Sequence, residues 1–471
     1  MRILLIQLGL LLSTITPSLA VTQKIVITVQ PGARQTFQGF GASIFPWTPS
    51  DLYKKEVSAS ENTAMARLLW HDAHFRSARI WIHPGDEPTD FYVDGYVKSG
   101  KVPAAIAAGL KDLILAPDRI PPSMNDGHGF IKDVSMKPYA ALLADFIYRF
   151  REKSGVLINH CGVLNEPNDR PVKFSNAQWP LIIRDLRSAL NARGLKSVDI
   201  VAPESANCGD DAYAAVDAIK SDPVAWADLG GIATHSYNNA ATEEMAERRG
   251  NKSYWITEAG GMTDTDEVPG DTLQAASAAS RFLNDVNHEV THWQYFIGAE
   301  QSDPKGNSGR ILKFDVNPFK LTVLEKYWYL KQLAEAFPVG ARFRHCTSSL
   351  DGEMNYGYVT APVRKSHLNA AIAQDTDGRW AIGLSNFTSN EFASGSRPDW
   401  VNKQGGYPAE TLSVTVFVRE LASVPIVRFA VHRASTKLVA EVVMRHGYVY
   451  VPDIAPLDLV TLRSLKGNRR K

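Results

Sequence analysis

The chain has 471 residues, 44% hydrophobic and 21% charged, with 51 basic and 50 acidic side chains. This balance excludes a disordered chain and offers no basic bias toward nucleic acid or an anionic membrane. The length suits one barrel of about 250–300 residues plus a smaller module.

Residues 1–20 read as a cleavable secretory signal. Arg2 is the charged start, Ile3 to Leu12 is an apolar stretch too short to cross a bilayer, and Ser18-Leu19-Ala20 offers small-x-small cleavage. A secreted or periplasmic protein without a membrane span is expected. Three cysteines, Cys161, Cys208 and Cys346, allow at most one internal disulfide. No Cys or His pair has zinc-ligand spacing, and His71 and His74 read as helix-end residues. No metal and no cofactor are expected.

Lys24 to Gln30 alternates as a strand, and Pro31-Gly32 ends it. From Phe37, eight short apolar runs alternate with helical patterns. They cover 37–44, 75–82, 111–117, 159–166, 198–204, 231–237, 254–260 and 292–300. Helices are predicted between them, among others over 138–155, 175–194 starting on Ser175, 271–290 starting on Asp271, and 323–337. This rhythm predicts a (β/α)8 TIM barrel over 36–338. A doubly wound sheet is the alternative, but Gly39 and Gly41 lie inside the first strand rather than on a phosphate-binding turn. From 339 to 471 the pattern has period two, with a hairpin signal at Asp377-Gly378, and predicts an all-β sandwich. Residues 21–35 have no place in the barrel and are expected to add a strand to that sandwich.

Active sites of such barrels lie at the C-terminal ends of the strands. Strand four ends in Asn165-Glu166 and strand seven in Glu258, so the two carboxylates face each other across the mouth. Either could be a plain turn acid beside a helix N-terminus. As a pair they suit glycoside hydrolysis, where one donates a proton to the leaving oxygen and the other attacks the sugar or activates water. Mutual repulsion would raise the pKa of the acid.

The motifs FQGFGASIFPW (37–47), VLNEPN (163–168) and WITEAGG (255–261) resemble clan A retaining glycoside hydrolases, most closely glycoside hydrolase family 30. The resemblance implies a barrel fused to a side β-sandwich built from both chain termini, with Glu166 as acid/base and Glu258 as nucleophile. Asn165 would bond the sugar 2-hydroxyl, Arg79 would keep Glu258 ionised, and Tyr237, on one strand face with His235, could donate to it. Trp293, Tyr295 and Trp47 are candidate stacking aromatics that could equally fill the core, and Glu204, at the end of strand five, is a weaker candidate for a sugar hydroxyl contact. The turns WIHPGDEP and APDRIPPSMND depart from the family pattern, which leaves the substrate unassigned.

The expected partner is an oligo- or polysaccharide, and a monomer is expected. A non-catalytic carbohydrate-binding barrel would account for the aromatics but not for the paired glutamates. A metal-dependent hydrolase lacks a His/Asp cluster in the sequence. Two glycosylation sequons begin at Asn251 and Asn386.

Overall fold

The computed structural model describes residues 22–44, 57–237, 239–260, 270–302, 309–316, 318–356, 365–392, 406–436 and 439–465. The signal segment and Trp47 lie outside these residues. Among them, no helix is long and apolar enough to cross a membrane.

Eight parallel strands close a barrel. They are β1 (Gly39–Ser43), β2 (Ser77–Ile82), β3 (Asp112–Pro117), β4 (His160–Gly162), β5 (Asp199–Ser205), β6 (Gly231–Ser236), β7 (Ser253–Ala259) and β8 (His292–Tyr295). Each lies within one residue of a predicted segment, though β4 and β8 are shorter. The last segment divides, because Ala299–Gln301 leaves the barrel for a three-stranded sheet with Leu312–Val316 and Phe319–Val323. Gly41 has a steric reason: a Cβ there would meet Ser77 Oγ of the neighbouring strand at 2.2 Å. Inside the barrel, Trp255 packs with Ile114, Val201 and Ala233 and stacks on His292 at 3.5 Å, which fills the floor below the site.

Helix α1 (Met136–Ser154) buries Tyr139, Leu143, Phe146, Ile147 and Phe150 at helical spacing and ends at Gly155, which takes the left-handed conformation. Helix α2 (Trp179–Ala192) starts four residues after the expected Ser175. Gln178 is the reason: its Oε1 accepts from Ser175 N–H at 3.0 Å and its amide donates to the Ile131 carbonyl at 2.8 Å. Those bonds close a separate turn before the helix. Helix α3 (Thr272–Asn287) is capped by Asp271 and buried along nearly its whole length. It lies between barrel and module, where Ser280 bonds Ser385 at 2.8 Å and Asn287 bonds the Cys346 carbonyl at 3.1 Å. Helix α4 (Glu325–Ala336) follows the barrel.

The side module is one curled, mostly antiparallel sheet of eleven strands. The N-terminal strand Thr22–Val29 joins it, pairing in parallel with Thr411–Val418 and antiparallel with Cys346–Ser348. Its Ile25, Ile27 and Val29 enter a core with Val414, Val416 and Leu462. All three cysteines are buried and free. Asn386 is also buried, and its amide donates to the carbonyls of Glu410 at 2.8 Å and Ile454 at 3.0 Å. That sequon is therefore closed, while Asn251 is exposed.

Candidate active site

Two β-bulges aim the carboxylates into the barrel mouth. On β7 the register slips so that His235 pairs with Glu258 after Thr234 pairs with Ile256, leaving Thr257 as the extra residue. Trp255 faces inward, so this slip turns Glu258 inward as well. On β5 the register slips at Glu204, which has φ +59°. Glu166 also has a positive φ, +47°, in the turn after β4. Non-glycine residues there carry strain of order 1–3 kcal/mol, which surrounding contacts must hold. For Glu166 that contact is its own N–H, which donates to the Glu204 carbonyl at 3.0 Å.

Arg79, at 0% exposure, is the hub. One guanidinium nitrogen donates to Glu258 Oε1; the other donates to Asn165 Oδ1 at 2.9 Å and Glu204 Oε1 at 2.9 Å. Its guanidinium also lies 4.3 Å over the Trp81 ring. The Tyr237 hydroxyl donates to Glu258 Oε2 at 2.5 Å. Burial and the neighbouring charge of Glu258 push that phenol far up, so Tyr237 remains a donor. His235 lies between the two glutamates, with Nδ1 3.0 Å from Glu166 Oε1 and Nε2 3.6 Å from Glu258 Oε1.

The electrostatics reverse one expectation. Burial pushes the Glu166 carboxyl up, but the His235 hydrogen bond and charge, with Arg170 and Arg79, outweigh it and leave the group below the usual carboxylate range. Glu258 lies deeper, and burial pushes it up against the pull of His235, Arg79 and Tyr237. The order expected was the opposite, an elevated Glu166 beside a Glu258 held ionised by Arg79. Depth and the His235 contact are the physical reasons for the difference.

Among the described residues, one group could hold a cation: Glu166, His235 and Glu258, with ligand atoms within 4.8 Å of one another. Arg79 already places a fixed positive charge on Glu258 there.

Asn165, Glu166, Arg79, His235, Tyr237, Glu258 and Glu204 all meet at the mouth. Glu204 is fully buried beneath Arg79, which removes it as a sugar contact. Trp293 and Tyr295 are corrections too. Both are fully buried and face the helix layer: Trp293 packs on Phe40 and Phe282 and bonds Asp285 at 2.8 Å, and Tyr295 lies under Lys326. The inward face of β8 carries His292 and Gln294 instead.

Two residues at the mouth escaped the sequence reading. Phe296 follows β8, half-buried, with its ring 6.0 Å from Trp81. Its place directly after a barrel strand was the available signal. Arg170 reaches Glu166 Oε2 at 3.5 Å and Asp118 at 3.0 Å, so one of the divergent turns touches the acid/base candidate through it. Nothing local in the sequence marks that contact.

The closed (β/α)8 barrel with a side β-module that takes strands from both parts of the chain is a fold shared with solved structures of glycoside hydrolases. The chain is similar to the catalytic domain of a family 30 xylanase C from Talaromyces cellulolyticus, with TM-score 0.66 and 17% identity over 94% of this chain and 100% of that one. It is similar to a family 30 subfamily 8 xylanase from Clostridium acetobutylicum, with TM-score 0.64 and 14% identity over 94% and 99%. A family 51 arabinofuranosidase from Xanthomonas axonopodis pv. citri follows the same fold, with TM-score 0.56 and 13% identity over 94% and 100%. Identities this low establish the shared fold. No family model and no curated protein matches the chain.

Proposed function

We propose that this protein is a secreted, retaining β-glycoside hydrolase. One observation carries the reading: carboxylate oxygens of Glu166 and Glu258 lie within 4.8 Å of each other at the barrel mouth. A gap that short suits direct attack on the sugar, since retaining pairs stand about 5–5.5 Å apart and inverting pairs leave room for a water.

In the first step Glu258 Oε attacks the anomeric carbon while Glu166 gives its proton to the leaving oxygen, and the glycosidic C–O bond breaks. In the second, Glu166 takes a proton from water, whose oxygen displaces Glu258 and releases the sugar. The reactive microstate has the proton on Glu166 and the charge on Glu258. The resting site favours the reverse, and His235, touching both carboxylates, sets the balance between them. Asn165, whose Oδ1 accepts from Arg79 at 2.9 Å, would bond the sugar 2-hydroxyl. Phe296, half-buried beside Trp81, offers aromatic surface of the kind first assigned to Trp293 and Tyr295.

The neighbours named above include xylanases, which makes β-linked pentosan a first substrate to try; the divergent turns after β2 and β3 argue for a wide glycan panel. Glu258→Ala should abolish turnover of aryl β-glycosides, and full activity in that variant would sink the reading. Glu166→Gln should harm poor leaving groups far more than activated aryl ones; equal losses would remove the acid role.

A further inference from the structure

Glu204 has no place in the two-step chemistry, yet it is the buried group that touches both halves of the site. Its carboxylate Oε1 accepts from Arg79 at 2.9 Å, and Arg79 in turn holds Glu258 and Asn165. Its backbone carbonyl accepts the N–H of Glu166 at 3.0 Å. Both atoms belong to a bulged residue with φ +59°, so the backbone kink delivers the carbonyl to one glutamate and the side chain to the partner of the other.

The seat of this side chain is equally specific. Among the described residues, Glu204 Oε2 has no hydrogen-bond partner. It lies against Gly162, the last residue of β4, where a Cβ would meet Oε2 at 1.9 Å and Cδ at 2.8 Å. Any residue but glycine at 162 would push Glu204 off Arg79.

We infer that Glu204, seated on Gly162, is a positioning residue that registers the acid/base turn and the nucleophile to each other. The inference rests on the two-glutamate reading above. It has an electrostatic side. Arg79 serves two buried carboxylates, Glu204 and Glu258, and its single positive charge is divided between them. Glu204 therefore keeps Arg79 from neutralising Glu258 fully, which preserves the nucleophile's basicity. Removing that second anion leaves Arg79 to Glu258 alone, and the ionised form of Glu258 gains stability.

The test compares wild type, Glu204→Gln, Gly162→Ala and the double variant. Glu204→Gln is isosteric and lightens the buried negative charge, so it retains the fold even where Gly162→Ala does not. Two quantities are read: kcat and KM for an activated aryl β-glycoside across pH, and the Glu258 carboxyl titration by carbon NMR of labelled glutamate, assigned by its loss in Glu258→Gln. The expected result in Glu204→Gln is a fall in kcat of about 100-fold, the scale of a small misplacement. KM should stay nearly unchanged. Because Glu258 is the later of the two carboxyls to ionise, the basic limb and the Glu258 titration should both move to lower pH. Gly162→Ala should lose at least as much, and the double variant no more than the worse single.

An unmoved Glu258 titration in Glu204→Gln, or a double variant losing the product of the singles, overturns the inference. A wild type that cleaves no glycoside while its Glu258 titration still falls in Glu204→Gln would defeat the hydrolase reading and leave the coupling standing.

Discussion

The Tyr237 hydroxyl donates to Glu258 Oε2 at 2.5 Å, so the nucleophile candidate is held on one oxygen by a phenol and on the other by Arg79. A hydrogen bond to a charged group contributes about 1.5–3 kcal/mol. Tyr237→Phe should therefore lower kcat/KM by roughly 10–100-fold, and because the bond favours ionised Glu258, the later of the two carboxyls to ionise, the basic limb should move to higher pH. Steady-state kinetics across pH on an aryl β-glycoside check both.

His235 touches both carboxylates, and its charge pulls both toward ionisation. His235→Gln removes that charge, so both carboxyls should titrate at higher pH. Both limbs of the kcat/KM profile then move upward together. Limbs that stay in place would show that the imidazole is uncharged in the free enzyme.

Trp293 belongs to the packing between β8 and α3, not to the mouth. Trp293→Phe keeps most of the apolar bulk but removes the donor to Asp285, a fully buried carboxylate. Denaturant unfolding should report a loss of about 1–3 kcal/mol. KM should not change; a raised KM would return Trp293 to the substrate.

Glu353 joins module to barrel through His288 and His345, each 3.1 Å away. Burial raises its carboxyl, but the two histidines outweigh that and bring it down to about 2. A carboxyl depressed in the folded state stabilises above its unfolded pKa, and that stabilisation is lost as pH falls through the folded value. His345 is shifted up by Glu353, so its share is complete below the ordinary histidine range and is lost as pH rises through its folded value. The contact is strongest in mildly acidic solution. Glu353→Gln should lower the melting temperature there and flatten its fall between about pH 4.5 and pH 2.

Much of this was legible in the sequence. Alternating apolar runs and helical patterns fixed the barrel, because each strand is buried on both faces and stops at a turn. Strand-end position was enough to bring Glu166 and Glu258 together, and period two was enough to put His235 and Tyr237 on one face. The same period two put Trp293 and Tyr295 on one face without revealing that it faces the helices; His292 and Gln294 between and beside them occupy the interior. The bulges at Thr257 and Glu204 break the period locally, so no count along the chain could give the side those residues face. The turn after β4 is held from a distance, by the Glu204 carbonyl that accepts the Glu166 N–H. The reversed titration order depends on how deep each glutamate lies and on an imidazole from another strand.

The parallel pairing of Thr22–Val29 with Thr411–Val418 makes order of synthesis part of the structure. A ribosome adding about 5–20 residues per second needs roughly 20–80 s to travel from the first of these segments to the second. The barrel can close in that interval, while Ile25, Ile27 and Val29 wait without the sheet neighbours that cover them. The side module is thus the last part to be completed, and it locks only when the two ends of the chain meet. Deleting either end would not trim an appendage; it would leave the sheet open along a strand whose backbone hydrogen bonds then face water.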